Sequence, residues 1–287
     1  MEYAKQKLGE SSGNTATAAH VTTNASKLER FKVDVRTAFL NGVKRKPQII
    51  PGLTAGTVGL LVAEGGLGKS FLSIEIALGV AAKAPIAGGL WPEPELAGST
   101  VVLAAEDDGE EIGRRLHAIG KQFPELQRGL DNVQIYSLAG TILNVTDPKW
   151  FKELRQLAEN NQFLIGDPLC CCHDRDENNA AEMAGVINAF KKIIAGTGCA
   201  VLLTHHTSKS RSKDSPQDMS RGSTALVNGV RVVYVMTADT SEDAGENSIR
   251  VECAKSNNLS PDERATKFLS RLINKEHPEL GGVLVAS

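Results

Sequence analysis

No apolar run in the chain approaches the roughly 20 residues that a membrane-spanning helix needs, and no signal-peptide core opens it. An excess of one charge is also missing: 32 Lys and Arg stand against 34 Asp and Glu, a net charge of -2 at pH 7. No global basic surplus therefore announces nucleic acid, although a protein can confine its basic residues to one channel. Cysteine is scarce and poorly spaced for a framework. The five residues form no C-x-x-C pair and three are adjacent, which argues against a secreted disulfide scaffold. Internal repeats are absent as well. These absences together give the expectation of a cytoplasmic protein with no membrane partner. What remains is ordinary globular composition, 41% hydrophobic and 23% charged over 287 residues, enough for one large α/β domain or two small ones.

Residues 1–27 are rich in Ser, Thr, Asn, Gly and Ala without apolar periodicity, and read as a disordered arm. One domain is expected over 28–287. A short helix is predicted over Leu28–Leu40, and "KPQIIPGL" (Lys46–Leu53) is an extended lead-in with Pro-Gly turn chemistry. Beyond it the pattern alternates. Strands are expected at Thr57–Val62, Thr100–Ala104, Val133–Tyr136, Phe163–Ile165 and Ala200–Thr204. Helices fall between them at Ser70–Ala82, Glu110–Phe123, Lys149–Glu159 and Ala180–Ile194. Strands apolar on both faces and separated by helices imply an α/β fold, a mainly parallel sheet with helices on both faces. After Arg221 the strand-like segments Arg231–Met236, Ser248–Cys253, Lys267–Ile273 and Gly282–Val285 follow at short intervals, predicting an antiparallel C-terminal extension.

The segment "AEGGLGKS" (Ala63–Ser70) joins the first of these strands to the first helix. It follows G-x-x-x-x-G-K-[ST], with Ala63 in place of the first glycine. Gly65, Gly66 and Gly68 free the backbone to turn its N–H groups toward phosphate. Lys69 can reach the β- and γ-phosphates, Ser70 can ligate Mg²⁺, and the helix points its positive end at the anion. A Gly-rich turn that merely ends a strand is the alternative, but the strand–loop–helix order favours a phosphate cradle. The nucleotide-binding segment is read as Glu64, Gly65, Gly66, Leu67, Gly68, Lys69, Ser70 and Phe71, with ATP and Mg²⁺ as cofactors.

Such a loop needs a second acid for the metal, delivered from the end of a neighbouring apolar strand. "QFLIGD" (Gln162–Asp167) supplies Asp167 where α/β ligands bind. Hydrolysis also needs a group that orients or deprotonates water. The position after Asp167 is Pro168, so the base is sought on another strand, and "VVLAAEDD" (Val101–Asp108) offers Glu106. Asp107 and Asp108 compete for that role. Their ordinary use is to place negative charge near the start of the helix beginning around Gly109.

Taken with "LLTHH" (Leu202–His206) and "SRGSTALVNGVR" (Ser220–Arg231), these features resemble one family. They are similar to the RecA/DnaB-like P-loop class, and within it to the plasmid RepA family of small hexameric replicative DNA helicases. The resemblance covers about Pro51 to Lys255. It implies a RecA-like ATPase core, ATP hydrolysis at subunit interfaces of a hexameric ring, and single-stranded DNA tracked through a central channel. It further implies that His206 senses the γ-phosphate, while His205 points into the core because adjacent strand residues face opposite ways. Arg231 is the first candidate for a finger acting in trans, Lys255 the second and Arg221 the third. Asn257 stands where the DnaB-like group has the Arg of a Lys-x-Arg pair, which departs from that pattern. The loop carrying Lys209, Arg211, Lys213 and Arg221 would face the channel. Without an aromatic residue, its hold on DNA would be electrostatic and sequence-tolerant.

Two other functions fit the same parts. One is a regulatory or recombination ATPase that binds DNA without processive unwinding; the other is a nucleotide-gated assembly adaptor, disfavoured by the full set of hydrolysis residues. The run Cys170–Cys172 follows Asp167 closely. Neighbours on an extended chain alternate sides and cannot converge on one tetrahedral zinc. These cysteines are therefore expected as small, buried or half-buried side chains leaving the strand, with Asp174, Asp176 and Glu177 starting the next helix.

Overall fold

The computed structural model describes residues 28–207, 224–245, 247–273 and 281–287. They fall into two units, an N-terminal one that ends at Arg45 and another spanning Lys46–Ser287. In the first, the helix expected over Leu28–Leu40 is divided into a 3-10 turn at Glu29–Phe31 and helix α1 at Val35–Asn41. Asp34 makes the division. Its backbone is extended, and its carboxylate accepts the Thr37 N–H at 3.0 Å, so it caps a new helix instead of prolonging the old turn. The arm expected over 1–27 lies outside the described residues.

The second unit opens with a small antiparallel pair, β1 (Gln48–Ile50) and β2 (Leu53–Thr54), turned at Gly52 with φ +79°. The chain then alternates as expected. Strands β3 (Val58–Glu64), β4 (Thr100–Ala104), β5 (Val133–Ser137), β6 (Phe163–Asp167), β7 (Ala200–Thr207) and β8 (Val232–Ala238) are parallel to one another. Helices α2 (Lys69–Ala82), α3 (Gly109–Gln122), α4 (Pro148–Asn160), α5 (Ala180–Ile194) and the short α6 (Thr224–Gly229) supply the crossovers. Strands β9 (Ser248–Ser256), β10 (Lys267–Ile273) and β11 (Gly282–Ala286) continue the sheet antiparallel. Among the described residues the order is β11-β10-β9-β8-β3-β7-β6-β4-β5. The expected fold class stands.

Strand alternation divides the core in two. Leu61, Ala63, Val102 and Ile165 face α2 and α3, packing on Leu72, Ile76, Val80 and Ile119. Leu60, Val62, Leu103 and Leu164 face the other way, onto Leu154 of α4, Val186 and Phe190 of α5 and Leu226 of α6. Helix α2 is unusual because every residue except Ser70 is buried. A helix apolar all round needs cover on its outer face. The 3-10 stretch Pro124–Asn132 provides part of it, with Gly129 so close to Ala81 and Ala82 that a side chain there would overlap their backbone. Strand β11 adds to it through Leu284.

That cover contains a buried acid. Glu75 of α2 is 1% exposed, and its Oε1 accepts the Leu284 N–H of β11 at 3.0 Å. Its Oε2 has no partner among the described residues, and burial pushes the carboxyl well above the usual carboxylate range. A folded-state pKa above the unfolded value means that the stabilising contribution is complete below the unfolded pKa. It is lost as pH rises toward the folded one. Glu75→Gln keeps an acceptor for Leu284 and cannot ionise. Its thermal midpoint should exceed that of the wild type by roughly 2–6 °C at pH 8, with the gap closing toward pH 4. Melting curves whose difference does not change with pH would refute the buried neutral acid.

Candidate nucleotide site

The carboxyl ends of β3, β4, β6 and β7 share one edge of the sheet, and the phosphate loop leaves from β3 there. Gly66 and Gly68 both take φ +87°, a left-handed conformation in which other residues are strained. A Cβ on Gly65 or Gly66 would meet nothing within 4 Å, so the space beside these glycines is open. Ala63, the departure from the motif, is still inside β3 and paired with His206 and Met236. At that position the backbone is extended and glycine is not needed. Gly68 ends the loop as the N-cap of α2, directing unpaired N–H groups and the helix dipole at the same space.

Lys69 is only 4% exposed. Its ammonium lies 2.8 Å from His206 Nε2 and 3.8 Å from Asp167 Oδ1. Burial lowers its pKa, opposed by the negative charge of Asp167 and then Glu106. A protonated lysine can only donate, so His206 Nε2 accepts and the imidazole proton belongs on Nδ1. Asp167 is 5% exposed, and the buried Thr204 hydroxyl donates to its Oδ1 at 2.5 Å. His206 Nε2 is also 3.4 Å from Glu106 Oε1. Lys69, Asp167, His206 and Glu106 are thus gathered into one group.

The three consecutive acids after β4 separate by what they touch. Asp108 caps α3 through the Glu111 N–H at 2.8 Å. Asp107 takes two N–H groups from Arg115, whose guanidinium also lies 5.3 Å from the centre of the Phe71 ring. Burial raises the Asp107 pKa, with Arg115 acting against it. Glu106 alone of the three faces Lys69 and His206. These groups line a cavity of about 340 Å³, bounded by the loop from Glu64 to Phe71, by Glu106 and His206, and by Arg115 and Arg271.

Other expected residues are placed elsewhere. Arg231 is exposed, and its N–H donates to the carbonyl of Val58 at 2.8 Å, at the beginning of β3. The Lys255 ammonium donates to the carbonyls of Val227 at 2.6 Å and Val230 at 2.9 Å, closing the end of α6. Both lie at the sheet edge opposite the phosphate loop, about 20 Å away by the rise of β3. Neither can reach the loop of its own chain. Lys209, Arg211, Lys213 and Arg221 lie outside the described residues.

The cysteine run needs correcting. Leu169–Cys172 forms a 3-10 turn, so the three residues leave the strand as expected, and the difference lies in their burial. Cys172 is buried, Cys171 half-buried and Cys170 exposed, whereas the sequence predicts all three as buried or half-buried. Burial pushes the Cys171 and Cys172 thiols up, leaving them protonated and poorly nucleophilic. The acids after them do not start α5. Asn179 caps that helix, accepting the Ala181 N–H at 3.0 Å. Asp176 is turned back onto Asn178, and Glu177 Oε1 lies 3.8 Å from both His173 Nε2 and His205 Nδ1. His205 thus faces Glu177 while His206 faces Lys69, as alternation requires.

Fold and site together define a P-loop ATPase domain of RecA-like architecture. Residues 24–212, more than half of the chain, match the family model described as "AAA domain", and the chain belongs to that family. Among solved structures, one described as an ATPase domain is similar at TM-score 0.55 and 14% identity, covering 79% of this chain and 84% of that one. A DnaB-like replicative helicase, in a structure that also describes its interactions with primase, is similar at TM-score 0.56 and 14% identity. That match covers 76% of this chain and 56% of the helicase, so this chain spans little more than half its length. At these identities the likeness is one of fold. Among the described residues no helix is long and apolar enough to cross a membrane.

Thr204 went unnoticed in the sequence, although it lies two residues before His206 and so on the same side of β7. Thr204→Val keeps the shape and removes the donor to a buried carboxylate. It should lower stability by about 1–3 kcal/mol, seen as a drop of roughly 2–10 °C in the melting temperature. An unchanged midpoint would show that Asp167 does not depend on this hydroxyl.

Proposed function

We propose that this chain is an ATP-driven, ring-forming DNA helicase or translocase acting in replication. On this reading it hydrolyses ATP at subunit interfaces and tracks single-stranded DNA through a central channel. The observation that carries the proposal is the convergence of Lys69, Asp167, Glu106 and His206 on one open glycine loop. The residues fit the cofactors by two features: the loop leaves space beside Gly65 and Gly66, and a nearly dry ammonium faces it. The loop N–H groups and Lys69 would hold the phosphates, and Ser70 and Asp167 would hold Mg²⁺. When bound, nucleotide and metal supply the transferable phosphoryl group and neutralise the charge that develops on it.

Glu106, about half exposed beside the loop, is suited to accept a proton from water at Oε1. His206 Nε2 accepts from Lys69 and lies 3.4 Å from Glu106 Oε1, so a change in the partners of Lys69 alters what His206 touches. This supports its role as a sensor at the end of β7, ahead of the segment carrying Lys209, Arg211, Lys213 and Arg221, the proposed DNA contacts. Arg231 remains the first candidate for a finger, because an exposed guanidinium at the far edge can only serve another copy's phosphates. Lys255 ranks behind it, since three backbone carbonyls already hold its ammonium.

Fork unwinding, ATP hydrolysis and size-exclusion mass measured together test the proposal. The wild type should hydrolyse ATP, separate strands and elute at ring size. Lys69→Ala should abolish hydrolysis and keep the ring, and Glu106→Gln should bind ATP but hydrolyse it about 100-fold or more slowly. Hydrolysis stimulated by single strands without unwinding would favour a DNA-binding ATPase of the same fold. A fully active monomer would rule out the shared interface.

A further inference from the structure

Arg271, on β10 of the antiparallel extension, is not part of the phosphate-loop motif, yet it bounds the same cavity. A Cβ built on Gly68 would lie 2.8 Å from Arg271 Nη2, so the guanidinium lies directly over the last glycine of the loop. The neighbouring strand makes room for it. A Cβ on Gly282 of β11 would overlap Cγ and Cδ of Arg271, and glycine there lets the arginine stem pass.

The charge of Arg271 is unpaired among the described residues. Its Nε is buried and has no hydrogen-bond partner, and among the described residues no carboxylate pairs with the guanidinium. Arg115, across the same cavity, is by contrast held by Asp107 and Glu111. Burial lowers the Arg271 pKa, and the charge of Arg115 adds to the effect. A guanidinium does not discharge in response, so the unfavourable charge persists until an anion arrives.

We propose that Arg271 is a ligand of the nucleotide's phosphate chain, supplied from the same subunit by the C-terminal extension. The inference rests on the loop being a nucleotide site. Its planar fork suits two phosphate oxygens, and its place over Gly68 is where the loop and the α2 N-terminus already direct their N–H groups. Stacking of the guanidinium on the base is the rival role. Arg271 thereby makes the extension part of the site: the strand pair that covers α2 also completes the charge around the ligand.

Calorimetric titration of wild type, Arg271→Gln and Arg271→Lys with ADP, inorganic pyrophosphate and adenosine, all with Mg²⁺, tests this alongside ligand-free melting curves. Arg271→Gln should weaken ADP and pyrophosphate by a similar factor, about 10- to 100-fold, and Arg271→Lys should recover part of the loss. Without ligand, Arg271→Gln should melt at the wild-type temperature or above, because it removes an unpaired, half-buried charge. Unchanged ADP affinity would overturn the proposal. So would a loss confined to ADP and adenosine, which marks a base contact, or a lower ligand-free melting temperature, which marks a structural arginine. A wild type that binds neither ADP nor pyrophosphate, like Lys69→Ala, would overturn the nucleotide site itself.

Discussion

An ammonium group held almost out of water sets the terms for everything at the carboxyl edge of this sheet. Lys69 is tolerated there because three strands bring it partners: Asp167 from β6, His206 from β7 and, just past β4, Glu106. Those partners meet only if the parallel register is kept. Ala63 pairs with His206 and Ala104 with Asp167, and a slip of one residue would turn each side chain to the other face. The buried apolar strands that enforce register are therefore as necessary to the site as the loop that names it. A single uncompensated charge in such a place would be unfavourable by several kcal/mol, so removing one partner reaches all the others.

Much of the fold was legible because buried parallel strands carry a strong signal. The runs "TVVLA" and "FLI" are apolar on both faces, and β4, α5 and β10 fall at the predicted residues. Strand order was not legible. Nothing local to β3 says that it lies between β7 and β8, since that depends on crossovers closing far along the chain. Local competition explains smaller misses. Asp34 breaks the first helix by offering a cap, and Asn179, not the acids before it, begins α5. The cysteine run reads as leaving the strand, and it does so in a 3-10 turn that leaves Cys170 exposed instead of half-buried.

The site divides along the same line. Lys69 begins α2, Asp167 and His206 lie at the ends of β6 and β7, and Glu106 lies just past β4, so motif and periodicity together locate them. Thr204 and Arg271 carry no motif. Thr204 could have been suspected from its shared face with His206. Arg271 could not, because its approach to Gly68 requires β10 and β11 to fold back beside α2. A residue that reaches a site through tertiary return leaves no trace in spacing.

A parallel sheet also has two chemically different edges, and in this chain both carry charged side chains. The carboxyl edge gathers the acids, the histidine and the buried lysine, while the opposite edge exposes Arg231 beside the start of β3. About 20 Å of strand separates them, too far for one chain to close the circuit. On the proposed reading that separation is what a ring needs, because each subunit presents a receptive edge and a donating edge. Arg271 then has a distinct logic from Arg231. The first, in the same chain, would answer the ground-state charge of the ligand; the second would be available only to a neighbour, where it could report that the neighbour is in place. On that reading, dividing two arginines between cis and trans would make binding a property of the subunit and turnover a property of the assembly.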